Sequence, residues 1–235
     1  MRQVMNKCVF AAAVLFAALP QISSAAEITG GTVGIGFSQF TDDGDLDKTS
    51  ATGSLEVGFN RQFSLQGDLA FASFGASDTD ANNVALHAIY HAGPTTSFGA
   101  FAGHDHAEGA GMDYYGLEAG HSYGQFGGEA YVSHAKEDGV SGNLFGLSGR
   151  YAVNDAFGVT AGYDHIDVES FDANRTQIGV DYKLGNVTLS GDFGHADGDE
   201  LGSSNYVSVG ATFAFGPQRR TTFKQRDLIR VIPGL

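Results

Sequence analysis

The sequence predicts an all-β fold, an antiparallel up-and-down transmembrane β-barrel of about twelve strands. Three observations carry this expectation. Apolar and polar side chains alternate with a period of two over most of the chain, the pattern of strands with two unlike faces. Short polar turns recur about every thirty residues with aromatics on either side, as where strand ends meet a membrane interface. Longer polar stretches lie between these turns, so the two rims are expected to differ in loop length.

The chain opens with a signal peptide, 1–26. Arg2 and Lys7 form its positive start, and Val9 to Pro20 is apolar but too short to span a bilayer. Ser24-Ala25-Ala26 offers small residues for cleavage before Glu27. Such a leader marks export and is bacterial in pattern, and a barrel behind it is expected in an outer membrane. The one cysteine, Cys8, lies in the leader, so the mature chain is expected to hold no thiol and no disulfide.

The alternation is plain at Val33, Ile35 and Phe37, at Leu55, Val57 and Phe59, and from Val207 to Phe215. Followed throughout, it places strands near 31–40, 51–60, 62–74, 82–92, 96–104, 113–122, 125–134, 143–152, 156–165, 174–183, 186–195 and 204–215. Phe59 and Phe63, Tyr90 and Phe98, Tyr123 and Phe126, and Tyr151 and Phe157 bracket four of the short turns. Tyr182 precedes the fifth. Longer loops are expected near 41–50, 75–81, 105–112, 135–142, 166–173 and 196–203. One barrel domain then covers 27–215. A soluble sandwich or solenoid is the alternative, disfavoured by the aromatic brackets, the two loop classes and the export signal.

Without Arg2 and Lys7 the chain keeps 11 basic residues against 27 acids, a net charge of −16. That balance argues against nucleic acid as a partner. The expected partners are outer-membrane lipid, lipopolysaccharide and small solutes. The polar phase of the strands points into the lumen and contains Glu56, Gln66, Asp68, Glu118, Glu129, Gln177, Asp181 and Asp192. Arg150 is the main positive counterpart, and His87 and Tyr131 share the phase. Of these, Glu56, Asp68, Glu118, Glu129, Arg150, Asp181 and Asp192 are the pore-lining candidates. An acidic wall concentrates cations and repels anions, which gives weak cation preference. The bland alternative is that these carboxylates only solvate the wall and pair with neighbours. Most other inward positions are small, and the strand glycines are expected to leave room for water.

No cofactor, metal or catalytic site is expected. Asp43-Gly44-Asp45-Leu46-Asp47 begins like a calcium loop, but Lys48 stands where glycine is needed and Ser54 where the closing glutamate belongs. His104, His134, His165 and His195 end four strands in the lipid-facing phase. They are too far apart to converge and read as an interfacial belt. His104 and His106 share a face and are at most a weak metal pair. Gly146-Leu147-Ser148-Gly149 has the wrong spacing for a nucleophile elbow. A triad assembled across strands remains open, so a lipid or peptide hydrolase is the second function class. A non-conducting structural or adhesive barrel is the third.

Gly146 to Asp155, Thr160-Ala161-Gly162-Tyr163 and the closing strand Val207 to Phe215 resemble the small Gram-negative porins of alphaproteobacterial type. The resemblance covers about 27–215 and is one of pattern. It implies passive diffusion of small hydrophilic solutes and a homotrimer. Two departures stand out. No loop is long enough to fold inward as a constriction, and twenty residues follow Phe215, where such barrels usually end. The segment 216–235 holds Arg219, Arg220, Lys224, Arg226 and Arg230 against Asp227 alone. The first expectation is a free periplasmic tail. The alternative is that the tail enters the acidic mouth and partly occludes it.

Overall fold

The structure, a computed structural model, describes residues 26–77, 79–107, 109–137, 139–168, 171–198, 202–218 and 221–233. All of the expected signal peptide except Ala26 therefore lies outside the described residues, as do Asp138, Glu169, Asp199, Glu200, Arg219 and Arg220.

Twelve antiparallel strands form one closed barrel. They are β1 (Glu27–Phe40), β2 (Asp47–Gly58), β3 (Phe63–Phe74), β4 (Asp80–His91), β5 (Thr96–Ala107), β6 (Ala110–Tyr123), β7 (Phe126–Glu137), β8 (Val140–Ala152), β9 (Phe157–Val168), β10 (Phe171–Leu184), β11 (Val187–Gly198) and β12 (Gly202–Phe215). Each pairs with its neighbours in sequence, and β1 closes on β12 in a register running from Gly31↔Phe215 to Phe40↔Tyr206. Closure leaves no unpaired edge, as a strand structure in lipid requires. The even strand number puts Glu27 and Phe215 at one end, the near rim. No described helix is long and apolar enough to cross a membrane; the strands cross instead.

Mid-strand, the outer face is apolar. Ile35, Leu117, Leu147, Ile178 and Val209 are each more than half exposed, a surface suited to lipid rather than water. The bracketing aromatics point outward at the near rim. Phe63 pairs with Tyr90, Phe126 with Tyr151 and Tyr182 with Phe157. The first two pairs bring ring centroids to 5.3 and 4.7 Å. These rings form the interfacial girdle the sequence suggested.

The polarity inverts toward the far rim. There the outer face carries cross-strand pairs of histidine with a side-chain acceptor. His104 Nδ1 lies 2.7 Å from Asp113, and His134, His165 and His195 lie 3.0–3.1 Å from Asn143, Asn174 and Asn205. The inner face is mixed, with Phe40, Phe74, Phe101, Tyr114, Leu144, Ile166 and Tyr206 buried beside Lys48, Asn83, Asp105, Asp164 and Arg175. Strand ends that clear the hydrocarbon need no apolar outer face, so they are built like a small soluble barrel.

This inversion corrects the expected loops. Ten of the twelve strands run two to four residues further toward this rim than the alternation suggested, all but β1 and β3, and most of the supposed long loops are paired backbone. β5 and β6 are joined across 108–109, and β7 and β8 across 138–139. Gly109 and Gly139 take φ of +86° and +95° there, the left-handed backbone of tight hairpins. Only 41–46 and 75–79 exceed three residues on this rim. Loop length does not distinguish the two rims, and the barrel stands on pairing and girdle alone.

The expected role of glycine also changes. Gly103 pairs with Tyr114, Gly146 with Tyr131 and Gly194 with Tyr206. A Cβ at any of the three would lie 2.0–2.3 Å from its partner tyrosine's side chain. These glycines make space for rings lying flat on the inner wall, not for water.

Candidate functional site: an acidic lumen filled by a basic segment

The expected free tail is corrected by the structure, because residues 221–233 run through the lumen from the near rim to the far one. The turn at Gly216, with φ of +84°, redirects the chain after β12, and Gln218 N–H donates to Thr29 O at 2.8 Å. From there the segment meets the inner wall at every step. Thr222 N–H donates to Glu56 Oε2 at 2.7 Å. The Gln66 amide grips the Phe223 backbone twice, accepting from its N–H at 3.2 Å and donating to its C=O at 2.9 Å. Lys224 N–H donates to Glu129 at 3.2 Å, and Gln225 Nε2 donates to Leu69 O at 2.9 Å.

Arg226 is the best-held residue of the segment. It is 4% exposed, donates from Nε to Glu118 at 2.8 Å and from Nη2 to Glu129 at 2.7 Å, and lies 4.8 Å over the Tyr131 ring. Glu118 is fixed from behind by His87 Nδ1 at 2.7 Å, and His87 Nε2 is 3.0 Å from Asp68. A short helix, α1 (Leu228–Val231), follows; Asp227 caps it by accepting from Arg230 N–H at 2.6 Å. Leu228 N–H donates to Asp105 at 2.9 Å.

Arg230 donates to Asp164 at 3.0 Å and to Tyr131 Oη at 3.2 Å. Arg175 bridges the same Asp164, at 2.6 Å, and the Arg230 carbonyl, also at 2.6 Å. Lys48 donates to Ile229 O at 2.7 Å and also to Ile232 O, and Ser38 donates to Pro233 O. Apolar packing closes the far half. Val231 joins Phe101, Tyr114, Tyr131, Leu144 and Ile166, and Ile229 joins Ala72, Phe74 and Ala81. Fully burying each such side chain stabilises the seated segment by about 1.5–3 kcal/mol.

The seven pore-lining candidates fall into two groups. Glu56, Asp68, Glu118 and Glu129 lie around the segment, three in direct contact and Asp68 through Gln66 and His87. Arg150, Asp181 and Asp192 line the opposite wall. Arg150 makes a bidentate pair with Asp181 at 2.6 and 2.5 Å, and Asp192 accepts from Ser208 at 3.2 Å. Sequence reasoning passed over Lys48, Asn83, Asp105, Asp164 and Arg175. Lys48 and Asp105 were assigned to loops that are strand. Asp164 and Arg175 share the inward phase of Gly162 and Gln177, so the phase alone could have found them.

The segment leaves a large space beside it. A cavity of about 1550 Å³ opens at the near rim, lined by Gly120, Gly128, Glu129, Ser148, Arg150 and Asp181 among others. Two arrangements in and beside it bear on catalysis. Ser64 Oγ is 2.9 Å from His91 Nε2, but its hydroxyl donates to Glu56 at 2.7 Å. The imidazole then donates to the serine and does not take its proton, the reverse of a general base. Ser148 Oγ is 3.3 Å from Lys224 Nζ, and among the described residues no further side-chain hydrogen bond orients the pair. Among the described residues no cluster of three or more His, Cys, Asp or Glu side chains could hold a metal. The His104 and His106 rings stack 6.5 Å apart.

A closed twelve-strand barrel with an apolar belt, an aromatic girdle and a polar inner wall is an outer-membrane barrel of the porin type. Residues 113–224 match the Gram-negative porin family, and the chain is a small Gram-negative porin-type barrel. No curated protein sequence matches it. Among solved structures it resembles the KdgM porin, with a TM-score of 0.61 at 11% identity over 78% of this chain and 99% of that one. The NanC porin gives 0.61 at 8% identity over 78% and 98%. The COG4313 outer membrane channel from Pseudomonas putida F1 gives 0.58 at 12% identity over 84% and 100%. At these identities the likeness is one of fold.

Proposed function

We propose that this barrel is a passive-diffusion channel for small hydrophilic solutes, weakly cation-preferring, that rests closed by its own segment 221–233. The observation that carries the reading is the filled lumen: a polar inner wall whose carboxylates are met by the chain's own cations. Removing the segment from that wall leaves Glu56, Asp68, Glu118 and Glu129 facing the passage, and a wall of that sign favours cations. An anionic sugar, such as the oligogalacturonate bound by the KdgM porin, would meet repulsion here. The reversed polarity removes Ser64–His91 as a hydrolase pair. A homotrimer, as the resemblance implies, goes with this reading and is checked by cross-linking in native membranes.

The test is single-channel recording of refolded protein in planar bilayers, with reversal potentials in a KCl gradient. Cation preference that weakens in Glu118→Gln with Asp181→Asn supports the reading. Anion preference, or selectivity unmoved by that double change, overturns it. A barrel that never conducts and turns over a lipid or peptide substrate belongs to the enzyme class instead.

A further inference from the structure

We infer that the wall formed by Glu118, Glu129 and Tyr131 is a binding site for cationic solutes bearing a guanidinium group, and that Arg226 holds it as an internal competitor. The inference deepens the channel reading by naming a solute class and rests on it for solute delivery.

The site belongs to the barrel. Glu118 sits on β6 directly across from Tyr131 on β7, and Glu129 lies two positions along β7. Their inward side chains present two carboxylates beside one ring face. Glu118 and Tyr131 are held by groups other than the segment. His87, fully buried between Glu118 and Asp68, fixes the first carboxylate. Tyr131 donates its hydroxyl to Asp164 at 2.9 Å, and its ring lies against Gly146. One carboxylate and the ring are therefore preorganised whether or not Arg226 is in place.

Its geometry fits a planar fork. Two different carboxylates accept from Nε and Nη2 of one guanidinium at 2.8 and 2.7 Å while the ring takes the flat face at 4.8 Å. A guanidinium offers in-plane donors on several edges and a weakly hydrated face for an aromatic ring. An ammonium is a compact, strongly hydrated point charge with no plane to stack. The wall therefore discriminates by shape as well as charge. A solute has a route to it, because Glu129 lines the 1550 Å³ cavity that opens at the near rim. A second guanidinium, from Arg230, meets Asp164 and the Tyr131 hydroxyl, so a solute with two such groups could span both positions.

The test is binding, which needs no conduction and so fails separately from the channel reading. Full-length Arg226→Ala in detergent is titrated calorimetrically with agmatine and with putrescine, a diamine lacking the guanidinium. Agmatine should bind Arg226→Ala about tenfold more tightly than putrescine does and about tenfold more tightly than it binds the wild type. Adding Glu118→Gln should abolish that preference. Equal affinity for the two ligands, or no agmatine binding by folded Arg226→Ala, overturns the proposal. Should Arg226→Ala not fold, the otherwise wild-type chain carries cysteines at Ser54 and Gln225, positions whose side chains touch while the segment is seated, bridged by a short bismaleimide. Agmatine should slow their cross-linking about threefold relative to putrescine at equal ionic strength. Equal rates with the two ligands also overturn it.

Discussion

Arg226 and Glu118 form a 2.8 Å ion pair whose side chains are 3% and 0% exposed. It joins the segment after β12 to the middle of β6. A pair this deep acts differently from a surface bridge. Removing the arginine leaves Glu118 buried with only His87 beside it and strips Glu129 of its guanidinium, at a cost approaching about 3–5 kcal/mol. Arg226→Gln should therefore release the segment as well as weaken it. Single-channel recordings should show more frequent or longer openings than the wild type. Unchanged opening in folded Arg226→Gln would mean that the apolar contacts of Phe223, Ile229 and Val231 hold the segment without the arginine.

The glycine–tyrosine pairs make a prediction about stability. A Cβ at Gly146 would sit 2.0 Å from the Tyr131 ring, and the ring is pinned by Asp164 and covered by two guanidinium groups. Gly146→Ala must displace that ring or the strand beneath it, at a cost of about 1–3 kcal/mol. The change should lower the temperature at which the barrel loses its compact form on electrophoresis. Gly67→Ala, where a Cβ meets nothing within 4 Å, is the control and should leave that temperature nearly unchanged.

The barrel was legible because lipid imposes a period. Wherever the outer face meets hydrocarbon, as at Leu117 and Val209, the alternation is clean and the strands fell within a few residues of their true bounds. Beyond the lipid that constraint lapses. The far ends of β5 and β6 carry His104 and Asp113 outside and Phe101 and Tyr114 inside, and such a stretch read as polar loop. Lys48 and Asp105 were lost from the inner wall for that reason. The inward acids of mid-strand were legible by phase; what they touch was not. Nothing in the local pattern of Thr221 to Pro233 says that it will sit inside a barrel. Only the charge opposition hinted at it, and the apolar half of its contacts needs the three-dimensional wall.

Topology can be read from outside the cell. The aromatic girdle is expected at the periplasmic rim and the 41–46 and 75–79 connections at the surface. Ser77 is exposed in one of those connections, and Gln125 in the two-residue turn between β6 and β7. Cysteine at Ser77 should react with an impermeant maleimide on intact cells, and cysteine at Gln125 should not. The opposite pattern would invert the barrel in its membrane, and labelling at both sites would argue against a membrane location.

Salt and truncation together separate an electrostatic contact from a packed one. The Debye length falls from about 10 Å at 0.1 M to about 3 Å at 1 M, but buried pairs are screened much less than exposed ones. Lys224 Nζ reaches Ser148 at 3.3 Å on the open side of the segment, and its attraction to the wall should fade with salt. Arg226, Phe223 and Val231 are buried and should hold. Full-length protein should therefore conduct less than a form ending at Phe215 at both salt levels, with the ratio narrowing only modestly at 1 M. A ratio that collapses to one at high salt would show that surface charge alone seats the segment. Identical traces at both salt levels would remove the segment from the conduction path altogether.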